Sequence, residues 1–173
     1  VRRWGGGSGR VEGGVAGAAV ALGGGQAGAR AMSGSSGGGF ALMSEPLGLA
    51  EMSETPIVLV EAMRAGPSTG MPTKPEQGDL EHVLYTSQGD SHRVVLAPGT
   101  VQESYDHARK AFELAYEYQI PSILAYDQNL SGEYKDGPAS HFGRGPNPPT
   151  GKTSTVPQAR NHRHAGAREH HPL

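Results

Sequence analysis

Cysteine is absent from the 173 residues. That excludes disulfides, thiolate zinc sites and any iron–sulfur cluster ligated by this chain itself. It fits a cytoplasmic protein. No apolar run approaches the roughly 18 residues that a membrane span requires. The opening Val1-Arg2-Arg3-Trp4 has basic residues but no apolar core behind them, so it does not read as a secretory signal. Aromatic residues make up only 6% of the chain and hydrophobic residues 35%, so there is material for one core of modest size. A basic surplus is missing too, for the net charge is −2.

What is present is unevenly spread. Residues 1–40 hold 15 of the 27 glycines and carry a net +3. Residues 41–137 carry −9 and residues 138–173 carry +4. An acidic middle argues against a nucleic-acid face there, and short basic ends are usually solvated tails. The expected organisation is a low-complexity stretch over 1–13, one α/β domain over 14–131, and a low-complexity tail over 132–173.

Within the middle, strands and helices alternate. An Ala-rich helix covers 15–22, a short strand 29–33 and a helix 40–51. The continuous apolar run at 56–60 marks a buried strand over 56–62. A helix over 77–85, a strand over 93–97, a helix from 101 and a strand over 120–126 follow. Thr100 and Glu103 form a capping box, and Val101, Tyr105, Ala108, Phe112 and Ala115 form an apolar stripe behind it. Pro121 ends that helix. This order predicts a parallel sheet with helices on both faces.

Residues 66–73, Gly-Pro-Ser-Thr-Gly-Met-Pro-Thr, lie just past the most apolar strand. Their prolines and glycines fix a tight loop, leaving the hydroxyls of Ser68, Thr69 and Thr73 free. Open α/β sheets bind ligands at the carboxyl ends of their strands. Arg64 adds the charge that would hold a carboxylate or phosphate. A rigid connection whose hydroxyls cap a helix is the plainer alternative.

Other motifs are weaker. Gly23 to Gly28 matches the letters GxGxxG, but a helical segment precedes it and a strand follows, reversing the dinucleotide order. Thr150-Gly151-Lys152-Thr153 lacks a strand before it, and Pro146, Pro148 and Pro149 remove donors that a phosphate loop needs. His162, His164, His170 and His171 offer adventitious metal binding rather than a site. His82, His92 and His107 have no nucleophile or second ligand at working spacing, and no metal is expected.

Gly28-Ala29-Arg30-Ala31-Met32-Ser33, Phe40-Ala41-Leu42-Met43-Ser44-Glu45, Glu54-Thr55-Pro56 and the string from Arg64 to Thr73 resemble the alpha subunit of 2-oxoacid:ferredoxin oxidoreductases of the 2-oxoglutarate synthase type. Gln77-x-Asp79-Leu80, Val94 to Pro98, Gln119-Ile120-Pro121 and Asp127-Gln128-x-Leu130 continue it, so the resemblance covers about residues 15–133. It implies the pyrimidine-binding fold of a thiamine-diphosphate enzyme, incomplete here. The implied reaction is oxidative decarboxylation of a 2-oxo acid, pyruvate or 2-oxoglutarate, with acyl transfer to coenzyme A and electrons passed to ferredoxin. Mg2+, the pyrophosphate site and the iron–sulfur clusters would belong to a beta subunit, leaving this chain inactive alone.

Residue by residue, the resemblance gives Arg64 the substrate carboxylate, with Thr69 and Thr73 shaping that pocket. The family's cofactor-activating glutamate, counted back without gaps, falls on Gly14; Glu12 is the nearest acid and the candidate for the role. The YPITP substrate motif is absent, and the family turn SGPG appears as Ser36-Gly37-Gly38-Gly39. Loss of pattern at both ends suggests a fragment, or a frame read out of register there. A non-catalytic scaffold that keeps the fold and the subunit interface is the alternative.

Overall fold

The computed structural model describes residues 13–136. Helix α1 (Gly14–Gln26) leads to strand β1 (Met32–Ser35), and helices α2 (Gly38–Ala41) and α3 (Ser44–Met52) lead on to β2 (Val58–Met63). Helix α4 (Leu80–Tyr85), β3 (Val94–Leu96), α5 (Val101–Tyr118), β4 (Ser122–Asp127) and α6 (Gln128–Ser131) complete the order. All three strand pairings are parallel and the order across the sheet is β1-β2-β4-β3. The expected parallel α/β fold is therefore present.

Alternation along β2 assigns the layers. Leu59 and Met63 join Ile123 and Ala125 of β4 in a core with Ala18, Leu22, Phe40, Met43, Leu47, Ala50 and Val83, so α1 to α4 cover one face. Helix α5 covers the other, where its Tyr116 hydroxyl donates to the Ala29 carbonyl at 2.5 Å. A buried ion pair, Arg93 to Glu51 at 3.1 Å, ties α3 to the start of β3. Val15, Val20, Leu42, Leu49 and Met52 stay exposed, and α1 carries no charged residue.

Three expectations need correction. The helix expected over 40–51 is two, because the chain tightens at Met43, whose N–H donates to the Phe40 carbonyl at 2.7 Å. Pro46 then lies in the first turn of α3, where its missing N–H costs nothing. The apolar stripe of α5 is displaced. Ala111 and Ala115 are its buried residues, since small side chains let the helix approach the sheet while Tyr105 and Phe112 flank the contact half-buried. Finally, Gln119 in the left-handed conformation, φ 56°, ends that helix before Pro121 is reached.

The Thr100 cap is present, with the return bond from Glu103 falling one residue before it. Thr100 Oγ1 accepts from the Glu103 N–H at 3.2 Å, while Glu103 reaches back to the Gly99 N–H at 2.8 Å. Thr100→Ala is expected to cost ~1 kcal/mol. A thermal melt showing no decrease in Tm would contradict that role.

Gly23 to Gln26 lie inside α1 and β1 follows, so the dinucleotide order is reversed in space as well. A Cβ on Gly25 would lie 2.8 Å from the Pro56 carbonyl, so this glycine serves close packing. Glu12, Thr150 to Thr153 and the histidines from His162 to His171 lie outside the described residues. Among the described residues no helix is long and apolar enough to cross a membrane.

Candidate functional site

At the carboxyl end of β2 the chain passes directly into the loop of residues 66–73. The Ala65 N–H donates to the Lys74 carbonyl at 3.0 Å and the Met71 N–H to the Ala65 carbonyl at 2.9 Å, closing the loop at its neck. Inside it the Gly66–Pro67 peptide is cis and Ser68 has φ 58°. Gly70 has φ 55°, and a Cβ there would stand 2.0 Å from the Ala65 carbonyl oxygen, so only glycine closes this turn.

A second loop meets the first. Gly37 and Gly38 follow β1, and the Cβ position of Gly38 lies 3.8 Å from the Ser68 carbonyl. Between the loops sits Arg64, half-buried. Gly37 lies against its guanidinium so closely that an added Cβ would be 3.0 Å from Nε and 3.5 Å from Cζ. The Arg64 Nε is buried with no hydrogen-bond partner among the described residues. The Arg64 backbone N–H donates to Asp79 Oδ2 at 3.4 Å. Gln77 Nε2 donates to Asp127 Oδ2 at 3.3 Å, and Asp127 also caps α6 by accepting from the Leu130 N–H at 3.0 Å. The loop is thereby tied to the ends of two central strands.

Beneath this arrangement is an acid that sequence reading overlooks. Glu61 is fully buried, on the same face of β2 as Leu59 and Met63. Its Oε1 accepts from the Gly37 N–H at 2.6 Å. Among the described residues Oε2 meets no donor, and Glu61 itself can donate to the neighbouring Asp79 carboxylate only when it is protonated. Burial pushes the Glu61 carboxyl up to about 8; the Gly37 N–H and the Arg64 charge oppose that shift and Asp79 adds to it. Across the sheet, burial and then the Glu61 charge raise the Tyr126 phenol. The signal was available, because an acid on the inward phase of an otherwise apolar strand is unusual. Asp79 falls in the Gln77-x-Asp79-Leu80 string, which the resemblance matches without giving it a role.

The site residues named from sequence are thus only partly gathered. Arg64 is enclosed by both loops. Thr69 and Thr73 are exposed, and among the described residues neither hydroxyl has a partner. At Gly14, where the activating glutamate was counted, a Cβ would lie 1.9 Å from the Gly39 carbonyl oxygen. As folded, that position holds no side chain. Among the described residues no group of three or more His, Asp or Glu is placed to hold a metal.

The architecture is an open parallel α/β sheet with two loops enclosing Arg64 at the end of a central strand. The chain belongs to the family of thiamine diphosphate-binding domains of pyruvate flavodoxin/ferredoxin oxidoreductases, which matches residues 9–138. The 2-oxoglutarate synthase subunit KorA of Archaeoglobus fulgidus is 46% identical over 90 residues, covering 52% of this chain and 26% of that protein. The 2-oxoglutarate oxidoreductase subunit KorA of Mycobacterium tuberculosis is 41% identical over 118 residues, covering 68% of this chain and 18% of the other. A solved 2-oxoglutarate:ferredoxin oxidoreductase from Magnetococcus marinus, with 2-oxoglutarate, coenzyme A and succinyl-CoA bound, superposes with a TM-score of 0.68. It is 44% identical, and the match covers 70% of this chain and 21% of that one. The chain spans about a quarter or less of the length of these relatives.

Proposed function

We propose that residues 14–131 are the pyrimidine-binding domain of an alpha subunit of a cytoplasmic 2-oxoacid:ferredoxin oxidoreductase, and that Arg64 binds the substrate carboxylate. The observation that carries this reading is the Arg64 guanidinium, held between two loops at the end of β2 with its buried Nε unpartnered. A guanidinium with its Nε held out of water and the rest of the group reachable can take a bidentate carboxylate. The relatives favour 2-oxoglutarate as the 2-oxo acid. Thr69 and Thr73, exposed on the loop, would line the approach to Arg64.

The described residues do not fit the activating role toward thiamine diphosphate. Gly14 has no room for a side chain, and Glu61 is fully buried and turned to Gly37. In this reading the chain therefore contributes carboxylate binding, with Glu12 the remaining candidate for cofactor activation. A beta subunit would bring the pyrophosphate site, Mg2+ and the iron–sulfur clusters, and coenzyme A and ferredoxin would engage the complex. Alone, the chain is inactive.

Reconstitution with the beta subunit tests this. Arg64→Ala is expected to lower kcat/KM for ferredoxin reduction by 2-oxoglutarate by about 100-fold or more, and Arg64→Lys to recover only part of it. Unchanged kinetics in Arg64→Ala would overturn the carboxylate assignment. A second reading, a non-catalytic scaffold, is favoured by the sealed Gly14 position. It predicts that the wild-type chain assembles with the beta subunit yet gives no turnover.

A further inference from the structure

The carboxylate-binding reading leaves Glu61 unexplained. Glu61 is a fully buried acid between Leu59 and Met63, and burying a carboxyl carries a cost that an apolar residue there would avoid. Its neighbours suggest why it is kept. The Gly37 amide it holds belongs to the residue packed on the Arg64 guanidinium, and Asp79 beside it accepts from the Arg64 backbone N–H. The side chain and the main chain of Arg64 are each one contact away from this acid pair.

We propose that Glu61 is the positioning residue for Arg64, acting through the Gly37 turn on the guanidinium and through Asp79 on the backbone. With one proton on the pair, a single negative charge faces the single Arg64 cation, and the Gly37 N–H stays on Oε1. When the proton leaves, two carboxylates confront each other in a buried space. Asp79, the acid that is not held by Gly37, gives way and takes the Arg64 backbone with it. The charged groups facing Glu61 are Asp79 from the segment before α4 and Arg64 from the end of β2; the Tyr126 phenol, opposite Ala62 in the register, lies on the other face of the sheet and feels the Glu61 charge from there. From β1 and the turn after it come only the Ser35 hydroxyl and backbone amides. Glu61 is thus the group that titrates, and Arg64 is the group that responds. This role rests on Arg64 being the carboxylate ligand only for its purpose, not for its geometry.

The test is a pH titration of the full chain, labelled with nitrogen-15, following the Gly37 amide and the Arg64 Nε–H on either side of pH 8. In wild type the two resonances are expected to move together with one midpoint. Glu61→Gln keeps an oxygen for the Gly37 N–H but cannot titrate, so both resonances are expected to stay still across that range. Asp79→Asn removes the like charge, and the shared midpoint is expected to move to lower pH.

An Arg64 Nε–H that ignores the transition followed by Gly37 would overturn the proposal. So would co-titration that survives in Glu61→Gln, or an Asp79→Asn midpoint that does not move. Adding 2-oxoglutarate separates this inference from the reading above it. Co-titration without any ligand-induced shift at Arg64 leaves the positioning role intact and removes the substrate role. A ligand-induced shift without co-titration does the reverse.

Discussion

Glu61→Gln is expected to stabilise the fold, by an amount that grows as pH rises and levels off above about pH 8. The ordinary value for this carboxyl is 4.5, and in the fold it is raised to about 8. Between those values the unfolded chain has released its proton while the folded chain retains it. The folded state then binds more protons, so wild-type stability falls across the window and changes no further above it. Gln does not ionise and escapes that decline. Its carbonyl can accept from the Gly37 N–H, and its amide can donate to Asp79, the donor that Glu61 supplies only when protonated. The gain above the transition should be on the order of 2–4 kcal/mol, less than the full linkage value because buried acids relax. Urea unfolding at acid, neutral and alkaline pH measures it. Parallel pH profiles for the two proteins would show that Glu61 does not hold its proton in the fold. Stability is gained at the expense of the proton-coupled positioning proposed for Arg64.

A side chain at position 14 should have the opposite effect. Gly14→Ala is expected to lose roughly 2–4 kcal/mol, as expected for an added carbon that must displace packed backbone. That carbon would stand 1.9 Å from the Gly39 carbonyl oxygen, and Leu42 is the next neighbour at 3.4 Å. Backbone cannot rotate aside as a flexible side chain would, so the start of α1 or the turn before α2 has to move. Gly14→Glu, which writes the missing acid back at the gapless position, should be no better tolerated and should not create turnover in the reconstituted complex. A Gly14→Glu chain that melts like wild type and gains activity would show that the turn yields readily and that the gapless count was right.

The fold was legible because its cues are local or periodic. The largely apolar segments 56–62 and 120–126 became the central strands β2 and β4, and Thr100 with Glu103 opened the longest helix. Errors came where tertiary packing decides. Helical spacing puts Ala115 on the buried stripe of α5 but does not single out Ala111, which with Ala115 is what the sheet accepts most closely. The break between α2 and α3 needed attention to Pro46 rather than to hydrophobic spacing. At the site, Arg64 and the loop after it were legible because prolines and glycines mark the chain locally. Glu61 stands out as an acid on an apolar strand, but its role is not legible there, since it depends on Gly37 and Asp79, which are remote in sequence. The exposure of Thr69 and Thr73 was equally invisible, because a hydroxyl on a loop reads the same whether it faces the cleft or water.

The glycine excess hides two kinds of position that composition alone cannot separate. Gly23 has open space around the direction a Cβ would take, whereas Gly37 and Gly70 combine φ of 52° and 55° with close neighbours. Every amino acid one base change away from a glycine codon carries a Cβ. Neutral drift can therefore leave position 23 readily, but it finds no adjacent step out of 37 or 70. In a randomly mutagenised population purged of unfolded chains, these two glycines would persist while position 23 diversified. Two similar letters in a low-complexity background would thus evolve on separate clocks.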